Sequence, residues 1–254
     1  MTALLELKDV TRRFGGLTAV KDVSFTVEEG ALFGVIGPNG AGKTTLFNLI
    51  SGLYVPDTGS IALAGTRVSG LAPHCVAAQG IARTFQNIRL IGSLSVLDNI
   101  KLACHMRRAP TLGSAVIRSA AFERSEADVH VFALQLLDLL QLGTLAHEAA
   151  GNLPYGSQRR LEIARALATE PRLLLLDEPA AGMNPQESLE LMALIRRLRD
   201  TFRLTILLVE HNMKVVMGAC ERIHVLDHGE SIAEGTPEEI RGNATVIEAY
   251  LGAG

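Results

Sequence analysis

A chain of 254 residues with 48% hydrophobic side chains can bury the core of one large domain, or of one domain with an inserted subdomain. A formal net charge of −3, an aromatic content of 4% and no tryptophan speak against a nucleic-acid surface or a base-stacking platform. Three cysteines, Cys75, Cys104 and Cys220, form no CxxC pair and read as reduced core thiols of a cytosolic protein.

The start, Met1-Thr2-Ala3-Leu4-Leu5-Glu6, lacks a basic flank before a long apolar stretch, so no signal peptide is expected. No run anywhere approaches the roughly 18 apolar residues of a membrane span. From Leu4 to Val27 short apolar runs alternate with turn residues such as Phe14-Gly15-Gly16, which predicts a β-rich region. Ala31 to Ile36 predicts a short buried strand, and Thr44 to Ile50 a helix. Between them Gly37-Pro38-Asn39-Gly40-Ala41-Gly42-Lys43-Thr44-Thr45 matches the phosphate-binding pattern G-x-x-x-x-G-K-[ST] without mismatch. Chance produces such a match in roughly one chain per hundred of this length, and the strand–loop–helix context lowers those odds further. The glycines let backbone N–H groups converge on phosphate oxygens at a helix N-terminus; Lys43 would reach the β- and γ-phosphates and the Thr44 hydroxyl would ligate Mg²⁺. The chain is expected to bind a nucleoside triphosphate.

Gly59 to Gly65 predicts another strand. From about Ser95 to Gly143 the pattern is helical, with Val129, Phe132, Leu136, Leu137 and Leu140 on a core stripe and Gly143 at the C-cap. Arg107, Arg108, Arg118 and Arg124, mixed with acids, read as a solvated face. Helices are predicted from Leu161 to Ala168 and from Pro185 to about Arg199, and strands at Leu173–Leu176, Leu204–Val209 and Arg222–Leu226. The alternation implies a parallel or mixed sheet flanked by helices, interrupted by the helical middle.

Two strands end in candidate chemistry. Leu173-Leu174-Leu175-Leu176 runs into Asp177-Glu178, where one carboxylate can serve Mg²⁺ and the next can orient or deprotonate water. Leu207-Leu208-Val209-Glu210 runs into His211, whose imidazole can contact the γ-phosphate and hold the water–Glu178 geometry. Gln86, in Arg83-Thr84-Phe85-Gln86-Asn87, has an amide suited to Mg²⁺ or to the attacking water.

The order of Phe14 before Gly-Gly, the P-loop, Gln86, Leu153-Pro154-Tyr155-Gly156-Ser157, Asp177-Glu178 and His211 resembles an ATP-binding-cassette (ABC) ATPase over almost the whole chain. That resemblance implies an α/β fold: a P-loop ABC ATPase with a RecA-like core, an antiparallel β subdomain and an inserted helical subdomain. One ABC ATPase domain would span 1–254, with the β-rich and RecA-like core at 1–90 and 165–254. The helical subdomain, including the signature segment, would occupy about 91–164. By resemblance Phe14 stacks on adenine, and Gly37, Pro38, Asn39, Gly40, Ala41, Gly42, Lys43, Thr44, Thr45 and Gln86 bind ATP. Tyr155, Gly156 and Ser157 would meet the ATP of a head-to-tail partner. Thr44, Gln86 and Asp177 would hold Mg²⁺, while Glu178, His211, Gln86 and Lys43 would be catalytic.

The segments Ala82–Leu90, Arg159–Leu167, Asp177–Pro185 and Val246–Gly252 narrow the resemblance to the LivG-type ATPases of branched-chain amino acid importers. Such systems imply a second, different ATPase chain, two transmembrane permease chains and an extracytoplasmic amino-acid-binding protein, with this chain peripheral on the cytoplasmic face of the inner membrane. Lipopolysaccharide export, urea-type import and a non-transport ABC ATPase are the alternatives. Against a repair ATPase, no sustained heptads lie between Lys43 and Asp177. Two departures stand out. Pro154 replaces the signature serine, removing its hydroxyl and N–H, and Asn184 stands where an Asp is usual.

Overall fold

The computed structural model describes residues 2–107 and 120–251, so the predicted solvated arginines Arg108 and Arg118, the side chain of Arg107, and Gly252 lie outside the described residues. By its internal contacts the chain divides into two compact units, Met1–Gln86 with Arg172–Gly254, and Asn87–Pro171.

In the first unit the two-residue period of β2 (Leu17–Glu28) buries Val23, Phe25 and Val27 and exposes the residues between them. β1 (Ala3–Phe14) pairs antiparallel with β2 and with β4 (Thr58–Leu63), and β5 (Thr66–Arg67) completes a four-stranded sheet of order β2-β1-β4-β5. The second sheet is built differently. β3 (Leu32–Ile36), β7 (Leu173–Asp177) and β8 (Thr205–Val209) are buried at every position, as strands covered on both faces must be. With β6 (Ile81–Arg83), β9 (Arg222–Asp227) and β10 (Glu230–Gly235) they form a six-stranded sheet of order β10-β9-β3-β8-β7-β6. All its neighbours run parallel except β9 and β10. One apolar cluster joins Leu5, Val23 and Phe25 to Phe33, Phe47 and Leu207, with the Phe25 and Phe33 rings stacked at 5.4 Å.

Helices complete this unit: α1 (Lys43–Ile50), α2 (Pro73–Ala78), α6 (Pro185–Phe202), α7 (Met213–Ala219), α8 (Pro237–Arg241) and α9 (Ala244–Leu251). Asn184 and Glu187 form a reciprocal capping box that starts α6, a role that an Asp at this position would fill as well.

The second unit packs α3 (Val96–Arg107) against α4 (Ala120–Leu139) and α5 (Tyr155–Leu167). Val129, Leu136, Leu137 and Leu140 are buried as the stripe predicted, and Phe132 is half-buried. Gly143 does not cap α4. Gln141 takes the left-handed conformation (φ 59°) while Leu142 N–H donates to Leu137 O and Gln141 N–H to Asp138 O, a Schellman ending that buries Leu142. A Cβ on Gly143 would lie 2.4 Å from Asp138 Oδ1, a contact that the flexible carboxylate could relieve by turning aside. α5 begins at Tyr155, earlier than the predicted Leu161, because its first turns carry polar residues without an apolar period. Sequence reasoning put the inner boundaries near 91 and 164, whereas contacts divide the chain after Gln86 and Pro171, keeping all of α5 in the second unit.

The three cysteines are thiols; Cys104 and Cys220 are buried, but Cys75 is only half-buried. Burial pushes the Cys220 thiol up to about 12, which leaves it unreactive near neutrality. His224 is buried between the Glu234 carboxylate at 3.1 Å and the Ser231 hydroxyl at 2.9 Å, against the Phe25 ring. His224 and Arg222 hold the Glu234 carboxyl below its ordinary value, outweighing partial burial. A carboxyl with a depressed folded pKa stabilises the fold above its ordinary value of 4.5, and that contribution disappears as pH falls through the folded value. Glu234→Gln is therefore expected to lose about 1 kcal/mol at pH 7, with the difference from wild type shrinking as pH falls below 4.5 and through the folded carboxyl pKa, in urea titrations at several pH values.

Candidate active site

Four parallel strands deliver the site by ending on the same edge of the sheet. β3 leads into the glycine loop, β6 toward Gln86, β7 into Asp177-Glu178 and β8 into Glu210-His211. In open α/β sheets ligands bind at such carboxyl ends. The cleft found there has a volume of about 510 Å³, within the range of small-molecule sites, and every lining residue belongs to the first unit. Phe14, Asn39 to Thr45, Gln86, Glu178 and His211 all line it, which brings together most of the residues singled out from sequence.

The glycine loop is shaped by close approach. A Cβ on Gly42, whose φ is +99°, would lie 2.4 Å from Ala19 O, and one on Gly37 would lie 2.0 Å from Leu226 O. No side chain caps α1, so its first turn, Lys43 to Thr45, presents backbone amides to the cleft. Lys43 is buried, and its Nζ donates to Gly37 O and Pro38 O at 2.8 Å each. Burial lowers its pKa, while the nearby Glu178 and Asp177 charges oppose that shift. Phe14 stands at the cleft wall, 38% exposed, with the Tyr54 ring edge-on at 5.2 Å and the Arg12 guanidinium 4.8 Å from its centroid.

Glu178 is the centre of the polar network. Its Oε1 lies 2.5 Å from His211 Nε2, and its Oε2 accepts from Gln86 Nε2 at 3.0 Å. Its backbone is left-handed, at φ 48°, and its N–H donates to Val209 O at 2.9 Å. A non-glycine residue held there carries strain of about 1–3 kcal/mol, which persists only where the surroundings enforce it. Asp177 turns elsewhere: its Oδ2 accepts from Arg83 Nη2 at 2.8 Å. Tyr155, Gly156 and Ser157 open α5 in the second unit, with the Tyr155 side chain exposed.

Sequence reasoning missed several participants. Leu17, Thr18, Ala19 and His228 also line the cleft, although they lie far from the glycine loop in sequence or on an ordinary turn. Glu210 is buried and its carboxylate accepts from Ala180 N–H at 2.7 Å and from His211 N–H at 3.2 Å. Burial raises its pKa more than those amide bonds lower it. The signal for Glu210 was an acid directly after an apolar strand; Arg83 carried none.

Hard oxygens of the type that would suit Mg²⁺ beside phosphate are offered by the Thr44 hydroxyl and the Gln86 amide, which line the cleft, while the Asp177 carboxylate ends β7 without being part of that lining. No group of three or more His, Cys, Asp or Glu residues among those described could hold a metal alone. The arrangement can therefore cradle a polyphosphate at the N-terminus of α1 and place a carboxylate beside it to take a proton from water.

Comparison with known proteins agrees with this geometry. The family model described as ABC transporter matches residues 20–181, and one described as branched-chain amino acid ATP-binding cassette transporter matches residues 230–254. The chain is 47% identical to the high-affinity branched-chain amino acid transport ATP-binding protein BraF of Pseudomonas aeruginosa, across 98% of both chains. It is 45% identical to the corresponding protein LivG of Escherichia coli K12 and 35% identical to the lipopolysaccharide export system ATP-binding protein LptB of that organism, each across 98% of both chains. Among solved structures, the ADP conformation of MJ1267, an ATP-binding cassette of an ABC transporter, superposes with a TM-score of 0.85 at 28% identity, covering 99% of this chain and 100% of that one. The chain belongs to the ABC transporter family, as one of its ATP-binding cassettes.

Proposed function

We propose that this chain is the ATP-hydrolysing subunit that energises an importer of branched-chain, hydrophobic amino acids. The observation that carries the reading is the convergence of Lys43, Gln86, Glu178 and His211 on one cleft, in a chain resembling branched-chain amino acid transport ATPases from end to end. The greater identity to those proteins than to the lipopolysaccharide ATPase favours import of this cargo class.

In this reading Phe14 stacks on adenine, and the loop from Gly37 to Thr45 with the α1 amides holds the phosphates. Mg²⁺, when bound, neutralises charge between the β- and γ-phosphates, and Thr44, Asp177 and Gln86 are the residues that would hold it. Glu178 takes the proton from the attacking water. His211 and Gln86, already on its two oxygens, aim that carboxylate, and Lys43 spreads the charge of the transferring phosphoryl group.

No helix among the described residues is long and apolar enough to cross a membrane. As an ABC transporter ATPase, the chain would deliver its work to permease chains. We place this chain on the cytoplasmic face of the membrane, beside two permease subunits and a second ATPase, with an extracytoplasmic binding protein supplying cargo. A dimeric post-hydrolysis structure of the cassette MJ0796, bound to ADP and phosphate, superposes on this chain with a TM-score of 0.77, which supports the dimeric arrangement. Tyr155, Gly156 and Ser157 would then face the partner's nucleotide. Pro154 is the N-cap of α5 without a side-chain cap bond, so the helix amides beyond it are left as the anion ligands of that surface. The ATP site completed by this surface is the weaker of the two.

Three measurements test these assignments. Glu178→Gln is expected to retain ATP binding, read by a fluorescent nucleotide, while turnover falls at least ~10²-fold; near-normal turnover would remove Glu178 as the base. Pro154→Ser is expected to raise hydrolysis by the assembled complex, and an unchanged rate would refute the weak-site assignment. Affinity purification from gently solubilised membranes is expected to recover a second single-cassette ATPase and two multi-spanning chains. Recovery of a bridge-forming lipid exporter would move the cargo to lipopolysaccharide.

A further inference from the structure

Arg83 ends β6 three residues before Gln86, and its side chain is only 7% exposed. Its guanidinium joins three elements. Nη2 donates to Asp177 Oδ2 at 2.8 Å, while Nη1 donates to Asn48 Oδ1 at 2.7 Å and to Ser51 Oγ at 3.0 Å. Asn48 lies on α1 and Ser51 caps its C-terminus. The guanidinium carbon also lies 5.6 Å from the Phe47 ring centroid and 5.2 Å from that of Phe85. Hydrogen bonds on its edge and aromatic rings beside it leave the group little freedom to turn. The planar fork matters here, because an ammonium is a point charge that cannot reach carboxylate, amide and hydroxyl in fixed directions together.

We propose that Arg83 is a positioning residue for the hydrolytic reaction, holding the Asp177 carboxylate in the orientation that serves nucleotide-bound Mg²⁺. The proposal rests on the reading of the cleft as a Mg²⁺–ATP site. With Oδ2 committed to Arg83, the other oxygen of Asp177 is the one left for the metal or a water bound to it. Because Arg83 reaches Asn48 and Ser51 at the same time, the carboxylate is referenced to the helix whose first turn carries Lys43 and Thr44. Asp177 is 3% exposed, so no bulk water would hold its carboxylate in place once the guanidinium was gone.

Charge and orientation make opposite forecasts. Removing a cation beside the carboxylate would by charge alone tighten metal binding, and a lysine that kept the charge would leave it unchanged. If orientation governs, Arg83→Met weakens binding by about tenfold or more, as removal of a group supporting a metal ligand does, and Arg83→Lys weakens it by less. The test is Mn²⁺ titration, followed by electron paramagnetic resonance, of the full-length Glu178→Gln chain saturated with ATP, with and without each Arg83 substitution. ATP affinity without metal is expected to change less than about twofold, and thermal melts establish that each variant is folded; Arg83→Lys keeps the test available should Arg83→Met not fold. In an Asp177→Asn background the Arg83 substitutions are expected to have no further effect on Mn²⁺ affinity, since they act through that carboxylate. Mn²⁺ affinity that is unchanged or tighter in folded Arg83 variants would overturn the positioning role and leave the Mg²⁺–ATP reading standing. Failure of the ATP-loaded parent to bind Mn²⁺ at all would overturn both.

Discussion

Two successive carboxylates at the end of a buried strand, Asp177 and Glu178, set the condition that their surroundings must satisfy. Two carboxylates brought together at a partly buried edge repel, so neighbouring acids need separate compensation. The fold supplies it from different strands. Arg83 at the end of β6 takes Asp177, while Gln86 beyond β6 and His211 beyond β8 take Glu178. The left-handed backbone at Glu178, tied through its amide to Val209, is where the chain sends the two side chains to different partners. Breaking a buried ion pair such as Arg83–Asp177 costs about 3–5 kcal/mol, because one charge is left buried alone.

The same economy of space governs the glycine loop. Lys43 is buried and its own loop carbonyls satisfy its ammonium, while the two acids favour its charged form against burial. Gly37 and Gly42 are pressed against carbonyl oxygens of Leu226 and Ala19, so the loop is fitted to segments distant in sequence as well as to phosphate. Glu210 adds a brace, accepting from Ala180 after β7 and from His211 after β8. A change at the phosphate end of the cleft therefore meets a network in which the loops after β6, β7 and β8 are already hydrogen-bonded to one another.

Much of this was legible because its signals are local. A strand, a glycine loop and a helix in immediate succession need no knowledge of the rest of the fold, and an apolar run ending in Asp-Glu marks a strand terminus by itself. Errors fell where the deciding contact is not local or where pattern is weak. Gly143 reads as a helix cap, yet Gln141 turns the chain so that Leu142 can be buried, and the glycine falls beyond that turn. The start of α5 was hidden because Gly156 to Arg160 carries no apolar period. The importance of Arg83 depends on β6 lying beside β7 with Arg83 level with Leu175, and nothing in the local sequence states that pairing.

The sequence by itself determined the chemistry on offer: a triphosphate loop, paired acids, a strand-end histidine, an adjacent glutamine, and alternation sufficient for a mixed α/β core. These follow from residue identity and short-range periodicity, which the chain carries wherever it folds. Only the tertiary structure decided the strand order β10-β9-β3-β8-β7-β6, which inserts β8 between the glycine-loop strand and the acidic strand and so brings His211 to Glu178. It also decided that Arg83 would meet Asp177, and that Ala19 and Leu226 would press on the glycines. Those outcomes depend on hydrogen-bond register and on packing between segments far apart in the chain, where the free energy of any one pairing exists only once the others have formed.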